Sequence, residues 1–228
     1  MGGKMEKLEK QYKYIYWDLD GTLWKHSENS IQLICDSLKI ECDDEIKQEF
    51  LYMTQSFNRY FETKKFTKNE AYKIIERTMP SLLEPKISGE KFLNCWCNTQ
   101  CNYLDENAKR VLADFRIKGK QNIVLTDWWL ERQLSQMKEF EILDYMEKVY
   151  SAEDNYLKSN PLTIKRVVDP GMEECSIIIG DSLESDIAFA NKANIDSIWV
   201  NPNKKENTTS YRATYEITSL EEVMDIIK

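Results

Sequence analysis

The chain has 228 residues and a mass of 27.0 kDa. That suits one medium domain, or a core with a smaller insert, and excludes a need for disulfide or metal staples. A hydrophobic share of 42%, a charged share of 31%, 7 Gly and 5 Pro exclude collagen-like and Pro/Gly-rich disordered classes. The formal charge of −8 and pI near 5.0 exclude general affinity for nucleic acid or anionic membrane, while leaving room for a local site that binds an anion.

The first segment, Met1 to Lys13, is Lys-rich and lacks the apolar core of a signal peptide. It begins Met-Gly, but Glu6 breaks the myristoylation pattern, and either Met1 or Met5 could be the start. No apolar run approaches the roughly 20 residues that span a bilayer. A cytoplasmic protein is expected, a monomer or weak dimer. Its six cysteines (Cys35, Cys42, Cys95, Cys97, Cys101 and Cys175) are expected as free thiols.

Tyr14-Ile-Tyr-Trp-Asp-Leu19 is the first strand, apolar on both faces like a central parallel strand, and it ends at the turn signal Asp20-Gly21. Residues 25–104 hold no comparable apolar strand. Ile31, Ile34, Cys35 and Leu38 recur at helical spacing, so this stretch reads as a helical insert. Ala108, Val111, Leu112 and Phe115 make the next helical face, closed by Gly119. Ile123–Thr126 is a short buried strand, Leu130, Leu134 and Met137 mark a helix, and Lys148–Ser151 is a weaker strand. Asn160-Pro161 opens a helix with Pro at its first position. Ser176–Gly180 is the clearest strand; a helix over Ser185–Ala193 and a strand over Ser197–Val200 follow. Residues 201–212 read as loop, and Ser219 with Glu222 forms a capping box for a last helix. Strands alternating with helices predict an α/β fold with a doubly wound, Rossmann-like parallel sheet. The core is expected over residues 1–24 and 105–228, with a small α-helical cap domain over 25–104.

In such a sheet, ligands bind beyond the carboxyl ends of the strands. The first strand ends in Asp18-Leu19-Asp20-Gly21-Thr22, the second in Thr126-Asp127, and the fourth in Gly180-Asp181-Ser182, with Asp186 five residues on. Lys158 precedes the helix that starts at Pro161.

These residues, in this order, resemble the four motifs of the haloacid dehalogenase (HAD) superfamily, and the resemblance covers essentially the whole chain. The insert looks like the helical cap placed after the first motif in one large branch. The runs Thr126–Gln133 and Lys158–Pro161 look most like its phosphatase and nucleotidase members. The resemblance implies Asp18 as nucleophile and Asp20 as general acid/base. It implies Mg²⁺ held by Asp18, the Asp20 carbonyl and Asp181, with Asp186 in support. Thr126 and Asp127 would bind phosphate, Asp127 through its amide, and Lys158 would supply fixed positive charge. Residue chemistry agrees: a carboxylate nucleophile splits one very slow hydrolysis into two easier steps, and a phosphate dianion cannot face carboxylates without cations.

Members often carry Pro directly after the motif lysine, whereas Ser159 and Asn160 intervene here, so Lys165 stays the runner-up. Trp17 reads as core; Trp24 and Trp128 read equally as core or as a wall for a substrate ring. His26 reads as a hinge residue. Cys95, Cys97 and Cys101 offer three thiols where a structural zinc site usually needs four ligands. Asn58, Arg59, Lys64 and Lys65 read as a solvated helix face. The expected activity is a phosphatase for a small phosphorylated metabolite, with a nucleoside monophosphate as the first candidate. A phosphomutase or phosphonatase of the same fold and a non-enzymatic metabolite-binding module are the alternatives. A dehalogenase is disfavoured, because it needs neither Asp20 nor the Gly180-Asp181 motif.

Overall fold

The structure is a computed structural model that describes residues 10–63, 67–82, 86–99, 102–152 and 156–228. The first nine residues, Lys64, Lys65 and Cys101 lie outside that set, and so does the Asn58 side chain. The core is a six-stranded sheet in the order β5-β4-β1-β6-β7-β8. Its strands are β1 (Tyr14–Trp17), β4 (Gln121–Leu125), β5 (Lys148–Tyr150), β6 (Ser176–Gly180), β7 (Asp196–Val200) and β8 (Tyr215–Ile217). Every pairing in this sheet is parallel. The chain builds outward from β1 through β4 to β5, then returns to β6 on the other side of β1. The topological switch therefore falls at β1, where a doubly wound sheet opens its binding crevice.

Alternation along β1 explains its two-sided apolar pattern. Ile15 and Trp17 pack on the face covered by α5 (Ala108–Ile117), beside Val111, Leu112 and Phe115. Tyr16 points to the opposite face, with Val167 of α7 (Pro161–Val167) and Phe189 of α8 (Ala188–Ala193). The first residues of α7 and α5's end follow the expected chemistry. Asn160 accepts a hydrogen bond from the Leu162 amide with Pro161 at the first helical position, and Gly119 takes φ +71 just after α5.

Between β2 (Trp24–His26) and β3 (Asn102–Leu104), the described residues form the α-helices α1 (Ser30–Leu38), α2 (Asp44–Thr63), α3 (Lys68–Thr78) and α4 (Gly89–Asn98). Ile34, Met53, Phe57, Ile75, Phe92 and Trp96 give them a common apolar cluster, which extends to Trp129 of the core. The stretch expected to hold no apolar strand comparable to the first contains the end of β2 and all of β3, both short. β2 and β3 pair antiparallel, Trp24 opposite Leu104 and His26 opposite Asn102, and form a two-stranded sheet. Each is three residues long and its partner is about 76 residues away, so no local period marks it. No described helix is long and apolar enough to cross a membrane.

Candidate active site

β1 delivers two carboxylates to the switch point. The Asp18 amide still donates to the Ile179 carbonyl at 2.9 Å, so Asp18 continues the strand and its side chain is buried. The chain then reverses at Gly21, whose φ of +95 suits glycine. A Cβ there would lie 2.5 Å from Asp181 Oδ2, so the turn rests directly against that acid. The Thr22 hydroxyl donates to Asp18 Oδ2 at 3.1 Å.

β6 brings the next two acids. After Gly180, Asp181 lies at the cavity and a π-turn over Leu183–Ile187 folds Asp186 back under the strand end. A Cβ on Gly180 would meet Asp186 Cγ at 2.1 Å, and Asp186 Oδ2 accepts from the Ser182 amide at 3.0 Å. Oxygens of Asp18, Asp181 and Asp186 all lie within 4.8 Å of one another.

Lys158 enters this acid cluster from the loop before α7. Its Nζ donates to Asp18 Oδ1 at 2.5 Å and sits 2.7 Å from Asp186 Oδ1, and the residue is only 3% exposed. Lys165 is exposed on α7, so Lys158 is the lysine at the site. Burial alone would lower the Lys158 pKa, but the charges of Asp18, Asp186 and Asp127 outweigh it and hold the ammonium well above its ordinary value. Burial, reinforced by Asp186 and Asp181, outweighs Lys158 in turn and pushes the Asp18 carboxyl well above the usual carboxylate range. Recession among protein atoms and the Asp186 charge push Asp181 up to about 7. One lysine thus leaves the cluster under-neutralised. Three converging carboxylates with oxygen-only donors fit a hard divalent cation such as Mg²⁺.

Thr126 and Asp127 stand at the end of β4. The Thr126 hydroxyl accepts from the Trp128 amide at 3.2 Å and from Gln133 Nε2 at 2.9 Å, which leaves its proton to donate. The Asp127 carboxylate does not offer itself to a ligand. It accepts from the Lys158 amide at 2.8 Å and the Ser185 hydroxyl at 2.9 Å, tying together the loops that carry Lys158 and Asp186. Any contact from Asp127 to phosphate is left to its main chain.

Asp20 sits in different surroundings. Oδ1 accepts from Trp24 Nε1 at 3.0 Å and from Arg132 Nη1 at 3.0 Å; Oδ2 accepts from Gln133 Nε2 at 2.6 Å. Burial alone would raise its pKa, but Arg132, His26 and these hydrogen bonds outweigh it and hold Asp20 below the usual range. Arg132 and Gln133 fall within the run Thr126–Gln133 that resembles phosphatase members, but nothing in the sequence gives them this role beside Asp20. They lie on α6 (Leu130–Glu139), whose expected apolar face is Leu130, Leu134 and Met137, yet Arg132, Gln133 and Gln136 are buried.

A cavity of about 820 Å³ opens over these groups, within the range of small-molecule sites. Asp18, Asp20, Lys158 and Asp181 lie on one side of it; Phe50, Phe57, Trp96 and Trp128 line the helical side. Trp96 packs edge-on to Trp128 at 5.3 Å between centroids and stacks on Phe57 at 6.0 Å. Trp128 therefore lines the cavity, whereas Trp17 and Trp24 are fully buried. His26 lies in β2 opposite Asn102: its Nδ1 pairs with Asn102 Oδ1 at 2.6 Å, and its Nε2 is 3.6 Å from Asp20. Cys95 contacts the Ile34 carbonyl and Thr99; among the described residues the metal-ligating cluster is Asp18, Asp181 and Asp186.

The family model of haloacid dehalogenase-like hydrolases matches residues 15–200. The pyrimidine 5'-nucleotidase PynA of Streptococcus pneumoniae is 26% identical over 95% of this chain and 95% of its own length. A magnesium-bound crystal structure of the HAD-hydrolase YfnB of Bacillus subtilis superimposes with a TM-score of 0.77 at 21% identity, covering 96% of this chain and 100% of that one. A HAD phosphatase from Thermococcus onnurineus gives 0.64 at 21% identity, over 94% of this chain and 97% of its own.

Proposed function

Because the chain belongs to the haloacid dehalogenase-like hydrolases, we propose that it is a magnesium-dependent phosphatase for a small phosphorylated metabolite, foremost a nucleoside monophosphate. The observation that carries this reading is Lys158 seated between Asp18 and Asp186 at the carboxyl edge of β1, facing a cavity with an aromatic wall. A fixed cation against a carboxylate nucleophile suits a transferred group with several negative oxygens.

Asp18 attacks phosphorus, the bond to the leaving oxygen breaks, and an aspartyl-phosphate forms. Asp20 is a carboxylate in the free site; entry of a phosphate dianion beside it would favour its protonated form, and it would then give that proton to the leaving oxygen and take one from the water that hydrolyses the aspartyl-phosphate. Lys158 keeps Asp18 oriented and offsets charge on the phosphoryl oxygens, and the Thr126 hydroxyl donates to one of them. A magnesium ion held by Asp18, Asp181 and the Asp20 carbonyl, with Asp186 behind, would offset the remaining acid charge and stabilise charge on the phosphoryl oxygens.

We take residues 25–104 as the cap. Its face of Phe50, Phe57 and Trp96, with Trp128 of the core, suits a flat ring on the group that departs. The pyrimidine nucleotidase relative supports a nucleotide. A phosphomutase or phosphonatase has no comparable support. The test is phosphate release with Mg²⁺ from nucleotides, sugar phosphates and phosphorylated acids, wild type beside Asp18→Asn. Turnover of ring-bearing monophosphates, lost with EDTA and in the variant, is expected. Full activity of Asp18→Asn would remove Asp18 as nucleophile, and no release from any compound would end the phosphatase reading.

A further inference from the structure

We propose that Arg132 is the positioning residue of the general acid: it holds the Asp20 carboxylate from α6 and is itself held by the ring of Trp128. The proposal rests on the phosphatase reading above. Arg132 is 4% exposed, and among the described residues its ion pair is with Asp20. A buried guanidinium is costly unless paired and hydrogen-bonded. Its Nη1 reaches both Asp20 oxygens, at 3.0 and 3.3 Å, and donates to Gln133 Oε1 at 3.3 Å. That last bond turns the Gln133 amide so that Nε2 faces Asp20 at 2.6 Å and Thr126 at 2.9 Å. One arginine thereby orders both α6 side chains that hold Asp20. On its other side the guanidinium lies 4.5 Å from the centroid of Trp128, a stacking that lysine cannot reproduce. Trp128 lines the aromatic wall, so the group that would receive a leaving ring and the group that would protonate it share one support.

An acid that must be aimed matters most when the leaving oxygen is a poor one. Arg132→Met should therefore lower kcat on a nucleoside monophosphate, whose leaving group is a sugar hydroxyl, by about 100-fold, the lower end of what general acid–base catalysis supplies. On p-nitrophenyl phosphate, whose phenolate leaves without a proton, kcat should fall by less than about 3-fold, with KM little changed on either. Asp20→Asn should show the same selectivity, and the double variant should be no worse than Asp20→Asn alone. Arg132→Lys, which keeps charge but not the planar fork, should recover part of the loss on the nucleotide. Equal losses on both substrates, or additive losses in the double variant, would make Arg132 a structural residue and overturn the proposal. If Arg132→Met does not fold, Arg132→Lys decides by the same ratio of the two losses. An active wild type with uniform losses refutes the positioning role alone; a wild type inactive on both substrates refutes the phosphatase reading and this proposal with it.

Discussion

Lys158→Met removes the cation that the described residues place among Asp18, Asp181 and Asp186. Its Nζ is 2.5 Å from one carboxylate and 2.7 Å from another. At an effective permittivity near 20, each contact is worth roughly 6 kcal/mol of gross attraction, and desolvation of the buried ions cancels several kcal/mol of that. Removing one member of a buried pair costs about 3–5 kcal/mol, because the other charge stays buried without its partner. Here two carboxylates lose the partner, so the upper half of that range is expected. Uptake of protons by the acids caps the cost. Met fills the space of the lysine stem, so the cavity contribution stays small. In a chain of this length the melting temperature should fall by about 10–15 °C, at about 2–4 °C per kcal/mol. The assay is thermal and urea unfolding in EDTA, with Asp186→Asn and the double variant alongside. The double variant carries one fewer orphaned charge, so it should be less destabilised than the sum of the two single changes by about 1–3 kcal/mol. A loss below about 1 kcal/mol for Lys158→Met, or strict additivity, would show that Lys158 does not hold the cluster together.

Gly180→Ala puts a methyl group 2.1 Å from Asp186 Cγ, so it should cost about 1–3 kcal/mol by overpacking and lower turnover, read by urea unfolding and phosphate release. Trp96→Leu removes ring contacts to Phe57 and Trp128; KM for a nucleoside monophosphate should rise about 3- to 10-fold, while KM for glycerol phosphate stays put. Mg²⁺ at 100 times its dissociation constant should stabilise the wild type by about 2.7 kcal/mol, an effect that EDTA reverses and Asp181→Asn weakens, both measured by melting. Far from the site, burial would raise the pKa of Asp196, but hydrogen bonds from Lys10, Tyr12 and Thr214 outweigh it and hold the carboxyl below its unfolded value. Its contribution is therefore complete above about pH 4 and lost as pH falls through the depressed folded value. Asp196→Asn should flatten the acid limb of stability against pH; an unchanged limb would deny the linkage.

The residues differ in how visible they are to sequence reasoning, and the reason is range. β1 and β6 announce themselves because both faces are covered, by α5 on one side and α7 and α8 on the other, which makes their apolar runs continuous. The acids at their ends are visible because strand ends and turn signals sit beside them. The burial of Arg132 and Gln133 is not visible: periodicity puts the apolar face of α6 at Leu130, Leu134 and Met137, whereas the buried set is Arg132, Gln133, Gln136 and Met137. Polar side chains are buried there because Asp20 and Asn102 arrive from elsewhere in the chain, and no local pattern records that. The direction of a side chain is hidden for the same reason. Asp127 is adjacent to Thr126 in sequence, yet its carboxylate turns toward Lys158 and Ser185. β8 was likewise hidden, a three-residue edge strand with Glu216 at its centre.

Asp18 and Asp20 are two residues apart and chemically identical, so their roles must come from their surroundings. Asp18 faces an ammonium and a hydroxyl, from Lys158 and Thr22. Asp20 faces an indole N–H, a guanidinium and an amide NH₂, from Trp24, Arg132 and Gln133. Each of those three groups can only donate. None can take a proton from Asp20, and His26 Nε2, at 3.6 Å, lies beyond hydrogen-bond length. On the proposed mechanism, a proton carried by Asp20 has no acceptor among these described groups and would point where the donors are not, toward the cavity that Asp20 also lines. The same donors stabilise the carboxylate once the proton has left, so the side chain does not need to turn between giving a proton and taking the next. On the proposed mechanism the direction of proton transfer is set by Trp24 Nε1, the Arg132 guanidinium and Gln133 Nε2, which can only donate, while Gln133 Oε1 is occupied by Arg132; a substitution that placed an acceptor against Asp20, such as Gln133→Glu, should give the proton a second destination and slow the first chemical step.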